Sequence, residues 1–177
     1  MPDGTGIDPV MAPGGFTECC FSNAGDVKKD YHYLKGRLGF IKVAIKNGAD
    51  IAPLYGFNVT NMYADPLFGC LRGARARLSQ KIMIGINWPV GKWGTFMPLT
   101  DATTNVWFPP FKASQYTLDR LEEAHADYLA HLKKYFDLNK AKYAVDPGIE
   151  IEFVGKDFVD DDSLTRMMET VGLRAKL

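Results

Sequence analysis

A mixed α/β domain, a mixed sheet flanked by helices, is the fold class this sequence predicts. Two pairings of elements and the size of the chain predict it. A run with helical apolar spacing over residues 37–47 leads directly into an extended apolar run over 49–57. A long amphipathic stretch over 117–143 leads into an alternating stretch over 149–154. The chain has 177 residues, 46% apolar and 24% charged, enough for one domain with a sizeable core.

Residues 1–12 are rich in Gly, Pro and Asp and read as irregular. Pro13-Gly14-Gly15 is a turn with a trailing acid, Glu18, and two consecutive glycines let the backbone approach a ligand closely. Residues 22–33 are polar and read as a loop. From Arg37, apolar residues recur at Leu38, Ile41, Ala44 and Ile45, which is helical spacing, with Gly48 placed to cap the C-terminus. Residues 49–57 then read as a buried strand, giving the helix-to-strand half of an α/β unit.

Residues 65–84 carry a basic stripe (Arg72, Arg75, Arg77, Lys81) beside apolar positions and predict an irregular helix. Trp88, Trp93 and Phe96 follow in a Gly/Pro-rich stretch, and basic helices beside aromatics suit a membrane surface. Residues 105–108 read as a short strand closed by Pro109-Pro110. In 117–143, Leu118, Leu121, His125, Tyr128, Leu132, Tyr135 and Asn139 form a seam at three- and four-residue steps, with Leu129 and Phe136 alongside. Thr117 is the expected N-cap, and Asp119, Glu122 and Glu123 suit the helix dipole. Residues 149–154 alternate as a half-buried strand, and Asp160-Asp161-Asp162 predicts the cap of a short final helix.

Charge and motifs narrow the function. Lys plus Arg and Asp plus Glu are equal at 21 each, so the overall balance gives no nucleic-acid footprint. No run approaches the roughly 20 apolar residues that span a bilayer, and the first residues lack the basic and apolar regions of a secretory signal. Cys19, Cys20 and Cys70 are odd in number and two are adjacent, which favours buried thiols over a disulfide framework. His32, His125 and His131 lack partners at metal-ligand spacing, and His125 falls on the apolar seam as a core-edge residue. The chain has no phosphate-binding glycine loop and no nucleophile elbow. Pairing Cys19 or Cys20 with His32 is conceivable, but nothing in the sequence orients it. Acyl transfer remains: it needs a base for an alcohol, oxyanion stabilisation and donors for a carrier's phosphates. Gly14-Gly15, Lys35, Arg37 and Lys42 could supply donors; a convincing base is lacking.

At these residues the chain resembles a family. Residues 13–157 are similar to the C-terminal portion of the diacylglycerol acyltransferase type 2 family, which includes monoacylglycerol acyltransferases and wax-ester synthases. The Pro-Gly-Gly-x-x-Glu block falls on Pro13, Gly14, Gly15 and Glu18. An Arg-x-Gly-Phe-x-x-x-Ala-x-x-x-Gly-Ala-x-x-x-Pro-x-Tyr pattern falls on Arg37, Gly39, Phe40, Ala44, Gly48, Ala49, Pro53 and Tyr55. The late His-x-x-Tyr-x-x-x-Leu helix falls on His125, Tyr128 and Leu132. Several blocks in order make the match specific. There are departures. No His-Pro-His-Gly block, whose histidine the family uses as base, occurs in the chain, and no His-x-x-x-x-Asp either. After Tyr55 the chain reads Gly56-Phe57-Asn58 rather than Ser-Phe-Gly-Glu-Asn.

The resemblance implies a glycerolipid-acyltransferase-like fold lacking its N-terminal part, with a domain over 13–157 and a peripheral tail over 158–177. It implies transfer from acyl-CoA to diacylglycerol or a long-chain alcohol at the cytoplasmic face of the endoplasmic reticulum membrane. Substrate-binding residues would be Gly14, Gly15, Glu18, Arg37 and Lys42, with no catalytic residue in this chain, no metal and no cofactor beyond acyl-CoA as substrate. Contact with a membrane surface is expected, nucleic acid is not, and self-association is open. A non-catalytic lipid-binding or regulatory partner of a full-length acyltransferase is the alternative, and a soluble remnant the third reading.

Overall fold

The structure, a computed structural model, describes residues 9–15, 18, 29–59, 62–63, 78–79, 81–82, 84, 90–99 and 103–161. The expected helix over 65–84 lies mostly outside them, as do Trp88, the three Cys and most of the C-terminal tail.

Among the described residues the class is mixed α/β, with small sheets flanked by helices. Strand β1 (Lys29–His32) is followed by helix α1 (Gly39–Lys46), β2 (Leu54–Phe57), β3 (Thr104–Trp107), helix α2 (Leu121–Tyr143), β4 (Glu150–Phe153) and helix α3 (Lys156–Asp161). Strand β1 pairs in parallel with β4, Lys29 opposite Glu150 and His32 opposite Phe153. Strand β2 pairs antiparallel with β3, Leu54 opposite Trp107 and Phe57 opposite Thr104.

Helix α1 begins two residues later than the apolar spacing suggests, which leaves Arg37 exposed in the turn ahead of it. It ends as expected. Gly48 takes φ 59°, its N–H donates to the Ile45 carbonyl at 3.1 Å, and Ala49 N–H donates to Ala44 at 3.0 Å. These two bonds form a Schellman motif and satisfy carbonyls the helix end would orphan. The run after it is strand only from Leu54 onward; Ile51 makes an isolated bridge to Phe111.

Helix α2 begins at Leu121 after a 3-10 turn over Leu118–Arg120, and Thr117 makes no side-chain cap bond. Instead Thr117 is bonded to the Asp119 side chain, which holds that carboxyl below its usual range. The buried seam is Ala124, His125, Tyr128, Leu132 and Phe136. It shifts from Tyr135 to Phe136 at the C-terminal half, because a straight helix drifts off a strict seven-residue repeat. Phe136, fully buried, lies against Phe57 at 5.6 Å between ring centroids and against Tyr55 at 5.2 Å. Phe40 and Phe111 both pack edge-on against Tyr128. The core therefore lies between α2 and the β2–β3 ladder, with Ile41 and Ala44 of α1 closing one side. Burying Phe136 alone is worth about 2–3 kcal/mol. His125, the expected core-edge histidine, is buried with Nε2 3.0 Å from the Leu34 carbonyl.

One expectation is corrected. Residues 29–32 are a strand, because their backbone groups pair with Glu150–Phe153 rather than with water. The short final helix expected after Asp160-Asp161-Asp162 lies outside the described residues; Asp160 and Asp161 themselves close α3, which starts at Lys156.

Candidate functional site

The glycine turn is closed by the Gly15 N–H, which donates to the Ala12 carbonyl at 3.1 Å. Gly15 takes φ 61°, where a side chain is strained. Gly14 is buried for another reason. A Cβ on it would stand 2.0 Å from Glu18 Oε2 and 2.8 Å from Glu18 Cβ. The Glu18 side chain thus folds back over the bare Gly14 backbone, and the spacing of Pro-Gly-Gly-x-x-Glu follows from that packing.

Folded back, Glu18 reaches the end of β1. Its Oε2 accepts the Tyr33 N–H at 2.9 Å, and its Oε1 lies 3.5 Å from His32 Nδ1. On the other side of the imidazole, Asp30 Oδ2 lies 3.5 Å from Nε2. Asp30 and His32 are two apart on a strand and share a face. The same Asp30 oxygen accepts the phenolic hydrogen of Tyr55 on β2. Glu18, His32, Asp30 and Tyr55 therefore make one chain of contacts from the glycine turn through β1 to the second sheet.

The electrostatics assign protonation states. Burial alone would lower the His32 pKa; the hydrogen-bonding and charge of Asp30 and Glu18 outweigh it and push the imidazole up to about 10. Burial likewise works against the Asp30 carboxylate, and His32 and Tyr55 overcome it, leaving Asp30 below its usual range. Burial first, then the Asp30 charge, raises the Tyr55 phenol far above its usual value. Among the described residues Nε2 makes no hydrogen bond, so the pull toward an imidazolium comes mainly from charge, with a carboxyl oxygen 3.5 Å from each ring nitrogen. A cation already carrying its proton cannot take one from an alcohol, so these charges work against a general-base role for the ring. Its place is structural: it ties the turn to β1.

Among the predicted binding residues, Gly14, Gly15 and Glu18 come together as one unit. Arg37 stands beside them through its stack on the Tyr33 ring, with 4.7 Å from guanidinium carbon to centroid. Lys42 lies exposed on α1, away from the cluster among the contacts of the described residues. Sequence reasoning missed the roles of Asp30, His32 and Tyr55. The Asp-x-His spacing was a usable signal, but only for residues already known to be in a strand. No group of His, Cys, Asp and Glu arranged to hold a metal ion occurs among the described residues. A shallow cleft of about 540 Å³ lies between Leu38 and the start of α2. Its rim carries three acids, Asp119, Glu122 and Glu123, against one cation, Arg120, which is paired with Glu123, and no cluster side chain lines it.

Comparison with known proteins agrees with the ordered blocks. A family model described as diacylglycerol acyltransferase matches residues 3–154. Mouse acyl-CoA wax alcohol acyltransferase 2 is 28% identical over 163 residues, covering 85% of this chain and 48% of the relative. Mouse diacylglycerol O-acyltransferase 2-like protein 6 is 29% identical, covering 82% and 47%. Diacylglycerol O-acyltransferase 2 of Xenopus tropicalis is 30% identical over 167 residues, covering 86% and 45%. The chain spans about half the length of these curated relatives. No solved structure matches it.

Proposed function

This chain belongs to the diacylglycerol acyltransferase family, and on that premise we propose that it forms part of an acyl-CoA-dependent O-acyltransferase of neutral-lipid synthesis. The match over residues 3–154 carries this reading. The acceptor is diacylglycerol or a long-chain alcohol, since relatives named for each are about equally similar. The reaction joins the acceptor hydroxyl oxygen to the thioester carbonyl carbon, breaks the carbon–sulfur bond, and passes the hydroxyl proton to a base as the coenzyme thiol leaves.

The 177 residues hold no His-Pro-His-Gly block, and the charges around His32 favour its protonated form, so in this reading the base is not His32. What the segment contributes is position. Gly15, exposed and with nothing within 4 Å of where a side chain would start, offers close backbone approach, while Gly14 is covered by Glu18, and the Glu18–His32–Asp30 clamp fixes where the turn sits. The Gly15 N–H is spent on Ala12 and is not available as an oxyanion donor. Arg37, steadied by Tyr33, and Lys42, free to swing from α1, offer cations for the donor's phosphates. The remaining elements of a glycerolipid-acyltransferase-like fold, and anchorage at the cytoplasmic face of the endoplasmic reticulum, belong to the same reading.

A photoactivatable acyl-CoA tests it. The chain should be labelled, unlabelled acyl-CoA should compete, and free fatty acid should not. Ester formation from labelled acyl-CoA with diacylglycerol or hexadecanol should stay at background. Absence of competable labelling removes the acyltransferase reading. Robust ester formation shows that the base is within these residues and overturns that part.

A further inference from the structure

Residues 91–99 form a closed turn whose large apolar side chains point into solvent. Gly91 N–H donates to the Thr95 carbonyl at 2.6 Å, Lys92 N–H to Met97 at 2.7 Å, and Leu99 N–H to Met62 at 2.7 Å. The Thr95 hydroxyl donates to the Lys92 carbonyl at 2.8 Å and accepts the Met97 N–H at 3.1 Å. Gly91 is obligatory, because a Cβ there would stand 1.7 Å from the Met97 carbonyl oxygen. A backbone this fully bonded holds one shape.

That shape displays Trp93 at 85% exposure, Phe96 at 72% and Met97 at 53%. Trp93 does so from φ 57°, a left-handed conformation that is costly for a bulky side chain and that Gly adopts freely. Strain spent on holding the largest apolar side chain out of the core points to a use outside it. The charge of the surrounding sequence says what meets it. Between Asp65 and Asp101 the sequence has five basic residues, Arg72, Arg75, Arg77, Lys81 and Lys92, and no acid, in a chain whose formal net charge is zero; Lys81 and Lys92 are among the described residues. Apolar aromatics within a locally cationic stretch are the chemistry of an anionic phospholipid surface.

We propose that the 91–99 turn is a wedge that inserts Trp93, Phe96 and Met97 into the headgroup–acyl boundary of an anionic phospholipid membrane. This rests on the acyltransferase reading only for the expectation that a membrane lies near the site.

The test uses the full chain and vesicles of phosphatidylcholine, alone or with phosphatidylserine. A Trp88→Phe, Trp107→Phe background leaves Trp93 as the sole tryptophan. On anionic vesicles its emission should shift to the blue and be quenched by lipids brominated near the headgroup. Trp93→Gly relieves the strained φ, so its thermal unfolding should be unchanged or later, while partition to anionic vesicles falls by about tenfold or more, as expected when an indole stays in water. Phe96→Ser should weaken binding likewise, and high salt should weaken it further. An unquenched Trp93, or Trp93→Gly binding as tightly as the parent, overturns the proposal. So does a blue shift that grows with protein concentration without vesicles, which would make the turn a contact between copies. Vesicle binding and acyl-CoA labelling are separate readouts, so failure of one leaves the other standing.

Discussion

Tyr55 on β2 donates its phenolic hydrogen to Asp30 on β1, joining two sheets that share no ladder among the described residues. The Tyr55 ring is itself gripped by Phe57, Phe108 and Phe136. The core thus presents a hydroxyl to the charged cluster at a fixed place. Replacing Tyr55 with Phe keeps the ring and removes the donor. It should cost about 2 kcal/mol, typical of a lost hydrogen bond to a charged, partly buried acceptor. Urea unfolding of the two chains measures it; equal midpoints would show that the bond is idle.

The clamp makes stability depend on pH in a stated direction. His32 has an ordinary pKa of 6.5 and is held at about 10 in the fold. The folded chain therefore binds a proton that the unfolded chain releases between those values. Its stabilisation is fully present below 6.5 and is lost as pH rises toward 10. Asp30, depressed in the fold from an ordinary 3.8, works the opposite way, its contribution vanishing as pH falls through its folded value. Unfolding midpoints should decline across the alkaline range, and His32→Gln should flatten that decline. Nitrogen-15 spectra should show His32 as imidazolium at pH 8. A neutral ring at pH 8 contradicts the clamp.

The glycine pair separates two causes of glycine preference. Gly14→Ala puts a methyl into the Glu18 carboxylate and should cost about 1–3 kcal/mol by displacing it from Tyr33 N–H. Gly15→Ala meets nothing within 4 Å and should cost about 1 kcal/mol from its φ alone. In a Glu18→Gly background, which removes the Cβ as well as the carboxylate, most of the Gly14→Ala penalty should disappear, while that of Gly15→Ala should persist. Additive penalties at Gly14 and Glu18 would mean that the two do not touch.

Phe136 tests whether α2 organises the fold. Truncation to Ala should cost about 3–5 kcal/mol, since the ring is fully buried against Phe57 and Tyr55. Leu138, on the same helix at 65% exposure, should change stability by less than about 0.5 kcal/mol when made Ala. Comparable losses at the two positions would place the core elsewhere.

The sequence by itself determined the periodic elements and the family. Helix α2 is legible because its apolar seam repeats over six turns, and the end of α1 because Gly48 alone suits its left-handed cap. The block Pro13-Gly14-Gly15 with Glu18 is legible because local packing of one side chain on one bare backbone fixes its spacing. Only the tertiary structure decided what that block touches. Lys29–His32 reads as a polar loop because nothing within its own four residues demands a strand. It becomes one through Glu150–Phe153, some 120 residues away, whose backbone supplies the pairing. That pairing brings His32 between Glu18 and Asp30 and turns Asp30 toward Tyr55. A lone histidine thereby becomes a half-buried group whose protonated form two carboxyl side chains favour. Long-range pairing and the field of neighbouring charges make that difference, and neither is written in local spacing.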